Sequence, residues 1–353
     1  MPMVENNERI IVEEVSGWLR VFDDGSVDRT WMGPSEVEFL AKPYHPAPEE
    51  ALKLDGIILH DFTATAPFNL SLRVYIPVDT ITTKLPVILH FPGGGFCISR
   101  PTWYMYYQFY SRIATACQAI VISVTTRLAP EQRLPAAIDD CYTALLWLRS
   151  LARSTGDQSQ SSLSDKDGLG LHDKIDFSRV FLMGDSSGGN LVHFVAARAG
   201  SEEDRFWLPM KLAGAIAIHP GFVRSYRSKS ELEGKDNPFL TLDMVDKFLA
   251  LALPVGATKD HPFSCPMGDA APPLESLRLP PMIVVVANDD LIRDTEMEYV
   301  EALKKAGKDV ELFENNGVGH SFYLNKIAVD HDPCVGTATC NLIDGVKEFL
   351  RRH

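Results

Sequence analysis

The chain has 353 residues with 45% apolar content, enough to bury a large core in one domain or at most two. Its formal net charge is −13, spread along the chain, which argues against partners that present phosphate backbones or anionic headgroups. No apolar run approaches the ~18 residues of a membrane span, and residues 1–9 are polar and acidic rather than a secretory leader. The expectations are therefore no nucleic acid, no membrane, and a cytoplasmic or also nuclear location. The six cysteines, Cys97, Cys117, Cys141, Cys265, Cys334 and Cys340, form no CxxC or zinc spacing. Reduced core thiols are expected, although Cys334 and Cys340 lie close enough in sequence to bridge.

The first ~55 residues are mixed. Residues 18–22 lead through Asp23-Asp24-Gly25-Ser26 into Val27, a hairpin pattern around a glycine turn. Pro34, Pro43, Pro46 and Pro48 then predict loop or cap. From residue 56 the pattern becomes regular, with apolar, β-branched runs at 56–62, 70–76, 85–91, 119–124, 180–183, 212–218, 282–287 and 310–313. The first two alternate in character and predict an antiparallel start. The later ones are continuously apolar, as strands buried on both faces must be. Helix-period segments near 104–117, 136–151, 189–199, 241–252, 295–306 and 341–352 separate them. This alternation predicts an α/β fold with a mostly parallel eight-stranded sheet and helices on both faces. Residues 154–174 read as a surface loop. Residues 222–262 interrupt the alternation and, with about residues 1–50, are expected to form a small cap on a single domain spanning 1–353.

Chemistry in such sheets sits past the carboxyl ends of the strands. After the run 180–183 comes Gly184-Asp185-Ser186-Ser187-Gly188-Gly189-Asn190. A G-x-S-x-G between a strand and a helix is the nucleophile elbow of the α/β-hydrolase fold; without that context it is a Ser/Gly turn capping a helix. A hydroxyl needs a base beside it. His320, in Gly317-Val318-Gly319-His320-Ser321-Phe322, follows the last strand and is the candidate. The imidazole needs an orienting carboxylate, and Asp289, Asp290 and Asp294 lie just past the run 282–287. Composition does not choose between Asp289 and Asp290. Asp294 and Glu296 suit the first turn of the next helix. Gly93-Gly94-Gly95 follows the run 85–91 and, with the Ser187 N–H, can supply oxyanion donors. Phe96, Trp103, Tyr104 and Phe222 are aromatic candidates for an apolar pocket.

Together these residues resemble the plant carboxylesterases of the hormone-sensitive-lipase-like family, relatives of the gibberellin receptors. The resemblance runs from about Trp18 to the end. It is carried by Phe91-Pro92-Gly93-Gly94-Gly95-Phe96, Arg127-Leu128-Ala129-Pro130-Glu131, Leu134-Pro135-Ala136-Ala137, Gly184 to Asn190, Asp290-Leu291-Ile292-Arg293-Asp294 and Gly317 to Phe322. It implies Asp290 as the triad acid, oxyanion donors at Gly94, Gly95 and Ser187 with Gly93 in the same loop, and no cofactor or metal. Its implied substrate is a small-molecule ester such as a plant hormone or secondary metabolite. Three departures stand out. Pro92 replaces the histidine of the family's HGGG, Thr125-Thr126 replaces Asp-Tyr, and His90 replaces a common aromatic and is expected as a buried structural histidine. The gibberellin receptors lose the catalytic histidine, whereas this chain keeps His320. The resemblance thus implies a carboxylesterase with the triad Ser186, His320 and Asp290. The alternatives are a ligand-binding receptor with a vestigial triad, or a lyase or cyclase on the same fold.

Overall fold

The computed structural model describes residues 9–32, 35–78, 84–154, 169–234, 237 and 239–353. Pro34, residues 155–168 of the expected surface loop, and residues 1–8 of the polar N-terminus lie outside them.

Eleven strands form among the described residues: β1 Ile11–Val15, β2 Leu19–Phe22, β3 Val27–Asp28, β4 Ile57–Ala64, β5 Leu70–Pro77, β6 Leu85–Phe91, β7 Ile120–Val124, β8 Ile175–Asp185, β9 Leu212–Ile218, β10 Met282–Ala287 and β11 Val310–Asn315. The last eight make one sheet in the order β4-β5-β7-β6-β8-β9-β10-β11. β4 and β5 are antiparallel, and the six others run parallel to one another. Successive residues of a strand point to opposite faces, so full burial of every residue in β6, β7 and β10 means that both faces are covered.

The covering helices are α1 Tyr104–Cys117, α2 Ala136–Arg153, α3 Ser187–Ser201, α4 Leu242–Ala252, α5 Arg293–Lys305 and α6 Pro333–Arg352. α1 packs against α6, and α2 against α3. No helix among the described residues is long and apolar enough to cross a membrane.

Three sequence expectations need correction. Residues 48–55, read as loop because of their prolines, form the helix Pro48–Asp55. Pro48 occupies its first turn, where a missing N–H costs nothing, and Gly56 closes it with φ 65°. The last helix begins at Pro333, eight residues earlier than its periodicity indicated. Asp332 caps it by accepting the backbone N–H groups of Cys334 and Val335, compensating for Gly336 and Thr337. In the expected surface loop, Leu171–Lys174 is a short helix leading into β8.

The hairpin at 18–27 is present as β2 and β3, and β1 adds a third antiparallel strand. This small sheet lies against α4: Lys247 donates to the Glu14 carbonyl at 2.8 Å and pairs with Glu13 and Asp243. Within 222–262, Asp246 of α4 bonds both Arg227 and Lys259 and so ties the segment together. All six cysteines are free thiols, so Cys334 and Cys340 do not bridge.

Candidate active site

The loops after β6, β8, β9, β10 and β11 converge on one cavity. Ser186 lies between β8 and α3 with φ 52° and ψ −125°, a sparsely populated conformation for a side-chain-bearing residue. The turn is anchored at both ends: the Ser186 N–H donates to Ile218 at 2.9 Å, and its carbonyl accepts from Gly189 and Gly221. Its glycines answer to close backbone approach. A Cβ on Gly184 would sit 2.3 Å from the Gly188 carbonyl oxygen, and one on Gly188 only 2.0 Å from that of Phe91. The G-x-S-x-G spacing is therefore a steric requirement of this elbow.

His320 is 2% exposed, and its Nδ1–H donates to Asp290 Oδ2 at 2.6 Å. Asp290 follows β10 and also accepts the Ile292 N–H at 3.1 Å. Burial works to raise its pKa; the charge and hydrogen bond of His320 outweigh this and hold it below the ordinary carboxylate value. Asp289, the residue that composition could not separate from it, is exposed. Asp294 exchanges two hydrogen bonds with Ser230 at the start of α5.

Ser186 and His320 line the same cavity. The buried His320 Nε2 has no hydrogen-bond partner, so the Ser186 hydroxyl is not bonded to it in this structure. Such contacts are commonly long without substrate.

Gly94 and Gly95 also line the cavity, with φ of 94° and 59°. The Gly94 carbonyl accepts from the N–H groups of Cys97 and Ile98, closing a tight turn. Ser187 Oγ accepts the Phe96 N–H at 3.2 Å, joining this loop to the start of α3. Gly93, grouped with them on sequence, does not line the cavity. It faces the elbow, where an added Cβ would lie 2.6 Å from the Asp185 carbonyl oxygen.

His90, at the end of β6, braces the residue before Ser186 and not the glycine loop. His90 is fully buried; its Nδ1 lies 2.8 Å from Ser123 Oγ and its Nε2 3.2 Å from Asp185 Oδ1. Burial keeps its pKa below the ordinary value despite Asp185. The neutral ring then donates from Nε2 to Asp185, the residue preceding Ser186, and accepts from Ser123. Tyr106 adds a longer bond to the same carboxylate at 3.5 Å.

The cavity opens to solvent, and its lining is largely apolar. Phe96 contributes, but Trp103, Tyr104 and Phe222 do not: Trp103 stacks on Trp18, Tyr104 packs on Tyr44, and Phe222 packs on Tyr299. The walls come instead from Trp18 after β1, Met105 and Tyr106 of α1, and Met244, Val245, Phe248 and Leu249 of α4. Trp18 packs on nearby Trp31, but the residues it meets in the cavity begin at Gly94, too far along the chain for its sequence neighbours to reveal a wall.

Two buried groups beside the dyad also escaped notice. His219, past β9, accepts the Ser321 N–H on Nδ1 at 3.0 Å, and burial pulls its pKa down to about 3. Its position directly after a strand run was the available signal. Glu296 on α5, expected as an ordinary first-turn acid, is fully buried. The donor atoms of His219, Asp290 and His320 lie within 4.8 Å of one another, a spacing that could suit a cation. The His320–Asp290 bond and the Ser321 N–H occupy one ring nitrogen of each histidine and an Asp290 oxygen, while Nε2 of both rings has no protein partner.

A family model described as alpha/beta hydrolase fold matches residues 88–324. The chain is 33% identical over 358 residues to probable carboxylesterase 6 of Arabidopsis thaliana, covering 99% of this chain and 95% of that one. It is 36% identical over 290 residues to a gibberellin receptor of Arabidopsis thaliana, covering 78% of each. Among solved structures, carboxyl esterase 2 of Tuber melanosporum superposes with a TM-score of 0.67 at 21% identity, covering 90% of this chain and 92% of that one; at that identity it speaks to fold alone.

Proposed function

Because this chain belongs to the α/β-hydrolase family, as a carboxylesterase-like member, we propose that it is a serine carboxylesterase acting through Ser186, His320 and Asp290. The observation that carries this reading is the buried 2.6 Å His320–Asp290 bond in the same cavity as the strained Ser186. Ser186 Oγ attacks the ester carbonyl carbon while His320 Nε2 takes its proton. The resulting oxyanion rests on backbone N–H groups of Gly94, Gly95 and Ser187. His320 then protonates the departing alcohol. Water, activated by the same imidazole, cleaves the acyl-enzyme and restores Ser186.

In this reading about residues 1–50 and 222–262 serve as the cap of a single domain. Trp18 on one side and α4 on the other enclose the cavity. No lysine or arginine lines it among the described residues. A ligand carboxylate entering it would lose hydration without gaining a cation. The fitting substrate is a neutral small-molecule ester with an apolar acyl or ring system, and plant hormones and secondary metabolites supply such esters.

One observation favours a second reading, a ligand-binding receptor with a vestigial triad: the 36% identity to a gibberellin receptor. The retained His320 weighs against it, since a pure binder needs no base.

Hydrolysis of a short p-nitrophenyl ester, with organophosphate labelling located by peptide mass, separates the two. Turnover with the label on Ser186 is the expected outcome. Tight ligand binding without turnover or labelling would select the receptor.

A further inference from the structure

Taking Asp290 as the triad acid, a step that rests on the reading above, the carboxyl next to it requires its own account. Glu296 lies in the first turns of α5, fully buried, and neither of its oxygens meets an N–H or O–H donor. One turn ties it to Asp290: the Ile292 N–H donates to Asp290 Oδ1 at 3.1 Å, the Ile292 carbonyl accepts the Glu296 N–H at 3.1 Å, and the Asp290 charge is the acidic influence on Glu296. Two buried carboxylates in contact cannot both be ionised without a cation between them.

Of the nearby cations, the Arg293 charge favours ionisation of Glu296 but is outweighed by burial and the Asp290 charge. Arg293 reaches Asn288 and Asp294. On the adjoining short helix Lys229–Glu233, Lys229 pairs with Glu233, and Arg227 takes Glu231. The remaining titratable groups at Asp290 are His320, already bonded to it, and His219, on which burial disfavours a charge. Asp290 is the one stabilised as an anion, since it accepts from both His320 and the Ile292 N–H.

We infer that Glu296 is a positioning residue for the triad: it keeps its proton and donates it in a hydrogen bond to Asp290. Burial first, and then the Asp290 charge, hold Glu296 far above the ordinary carboxyl range, in agreement with this. The O–H bond orients Asp290 and shares its negative charge, so Asp290 holds the imidazole without over-stabilising the imidazolium. No proton leaves Glu296 during turnover. The proton from Ser186 goes to His320 and from there to the leaving alcohol.

The tests use the full chain. Glu296→Gln retains the shape and an N–H donor, so kcat/KM should stay within about threefold and the acid limb of its pH profile should not move. Glu296→Leu removes the donor, and the acid limb should move up by about 0.5–1 pH unit as His320 becomes more basic. Infrared spectra at neutral pH should contain the carbonyl stretch of a protonated buried carboxyl, and Glu296→Gln should abolish it. The inference is overturned by absence of that band in the parent protein, by an acid limb that falls in Glu296→Gln as expected for a lost negative charge, or by a Glu296→Leu profile that does not move. The infrared band reads Glu296 whether or not esters are hydrolysed. Failure of this inference is thereby distinguished from failure of the esterase reading, which the p-nitrophenyl ester decides.

Discussion

On one side of the cavity, His320, Asp290, His219 and Glu296 are all at most 2% exposed, and the first three are tied between sheet-end loops by hydrogen bonds. On the other, the Gly94–Gly95 turn is partly exposed and is supported from a distance. Arg29, from the segment after the N-terminal sheet, donates to the Cys97 and Ala129 carbonyls and pairs with Glu131. Phe248 of α4 closes over Gly95. In the proposed mechanism the first side is the acid–base wall and the second the oxyanion wall; the acid–base wall depends on which buried group carries charge, so changes that preserve shape but alter protonation should break it. The oxyanion wall depends on backbone conformation, so changes of size should break that side.

Ser186 stands where the two walls meet. Replacing it with alanine should lower kcat by roughly 10⁶-fold, measured on a p-nitrophenyl ester, if the triad acts as a unit; a loss below about 100-fold would detach Ser186 from the chemistry. Asp290→Asn keeps the volume but reverses the tautomer that His320 requires, and about 10⁴-fold loss is expected. Asp289→Asn, on an exposed neighbour, should stay within about threefold, and the reverse ranking would reassign the acid. Gly95→Ala tests the opposite wall. Its Cβ would lie 2.4 Å from Phe248 Cγ at a φ of 59°, and displacing that amide should cost about 10²–10³-fold in kcat. If KM absorbed the whole effect, the amide would serve binding rather than the transition state.

The smallest effect is on stability. Burial holds His219 at about 3 and His193 at about 4, both below the ordinary 6.5. The unfolded chain therefore binds more protons than the folded one below pH 6.5. The stability these neutral rings contribute is complete above pH 6.5 and is lost as pH falls toward their folded values, by about 1.4 kcal/mol per pH unit for each ring. Urea midpoints measured from pH 7 to 4.5 should fall accordingly. A flat series would show that the rings are not buried as neutral groups.

How much of this was legible beforehand follows from the range of the interactions. The central strands β6, β7, β9 and β10 were visible as apolar runs, because a strand buried on both faces must be apolar throughout, whereas β4 is half-exposed and showed as alternation. The elbow was visible because its spacing is a local motif, with Gly184 answering to the Gly188 carbonyl inside the turn, although Gly188 answers to the distant Phe91 carbonyl. Pro48 misled, because proline breaks a helix interior but suits its first turn, and the sequence around it does not say which applies. The lining of the cavity was hidden, since Trp18 and α4 are brought together only by the cap's packing on the sheet ends.

The sequence alone therefore determined the strand–helix alternation, the elbow and the order Ser186, Asp290, His320, all of which rest on local periodicity, local sterics or motif resemblance. Only the tertiary structure brought Asp290 to 2.6 Å from His320, turned Gly93 away from the cavity, assigned His90 to Asp185 and buried Glu296 beside Asp290. These outcomes depend on distances between residues far apart in the chain. Burial then sets which of the assembled groups can bear a charge, a property that no single position in the sequence carries.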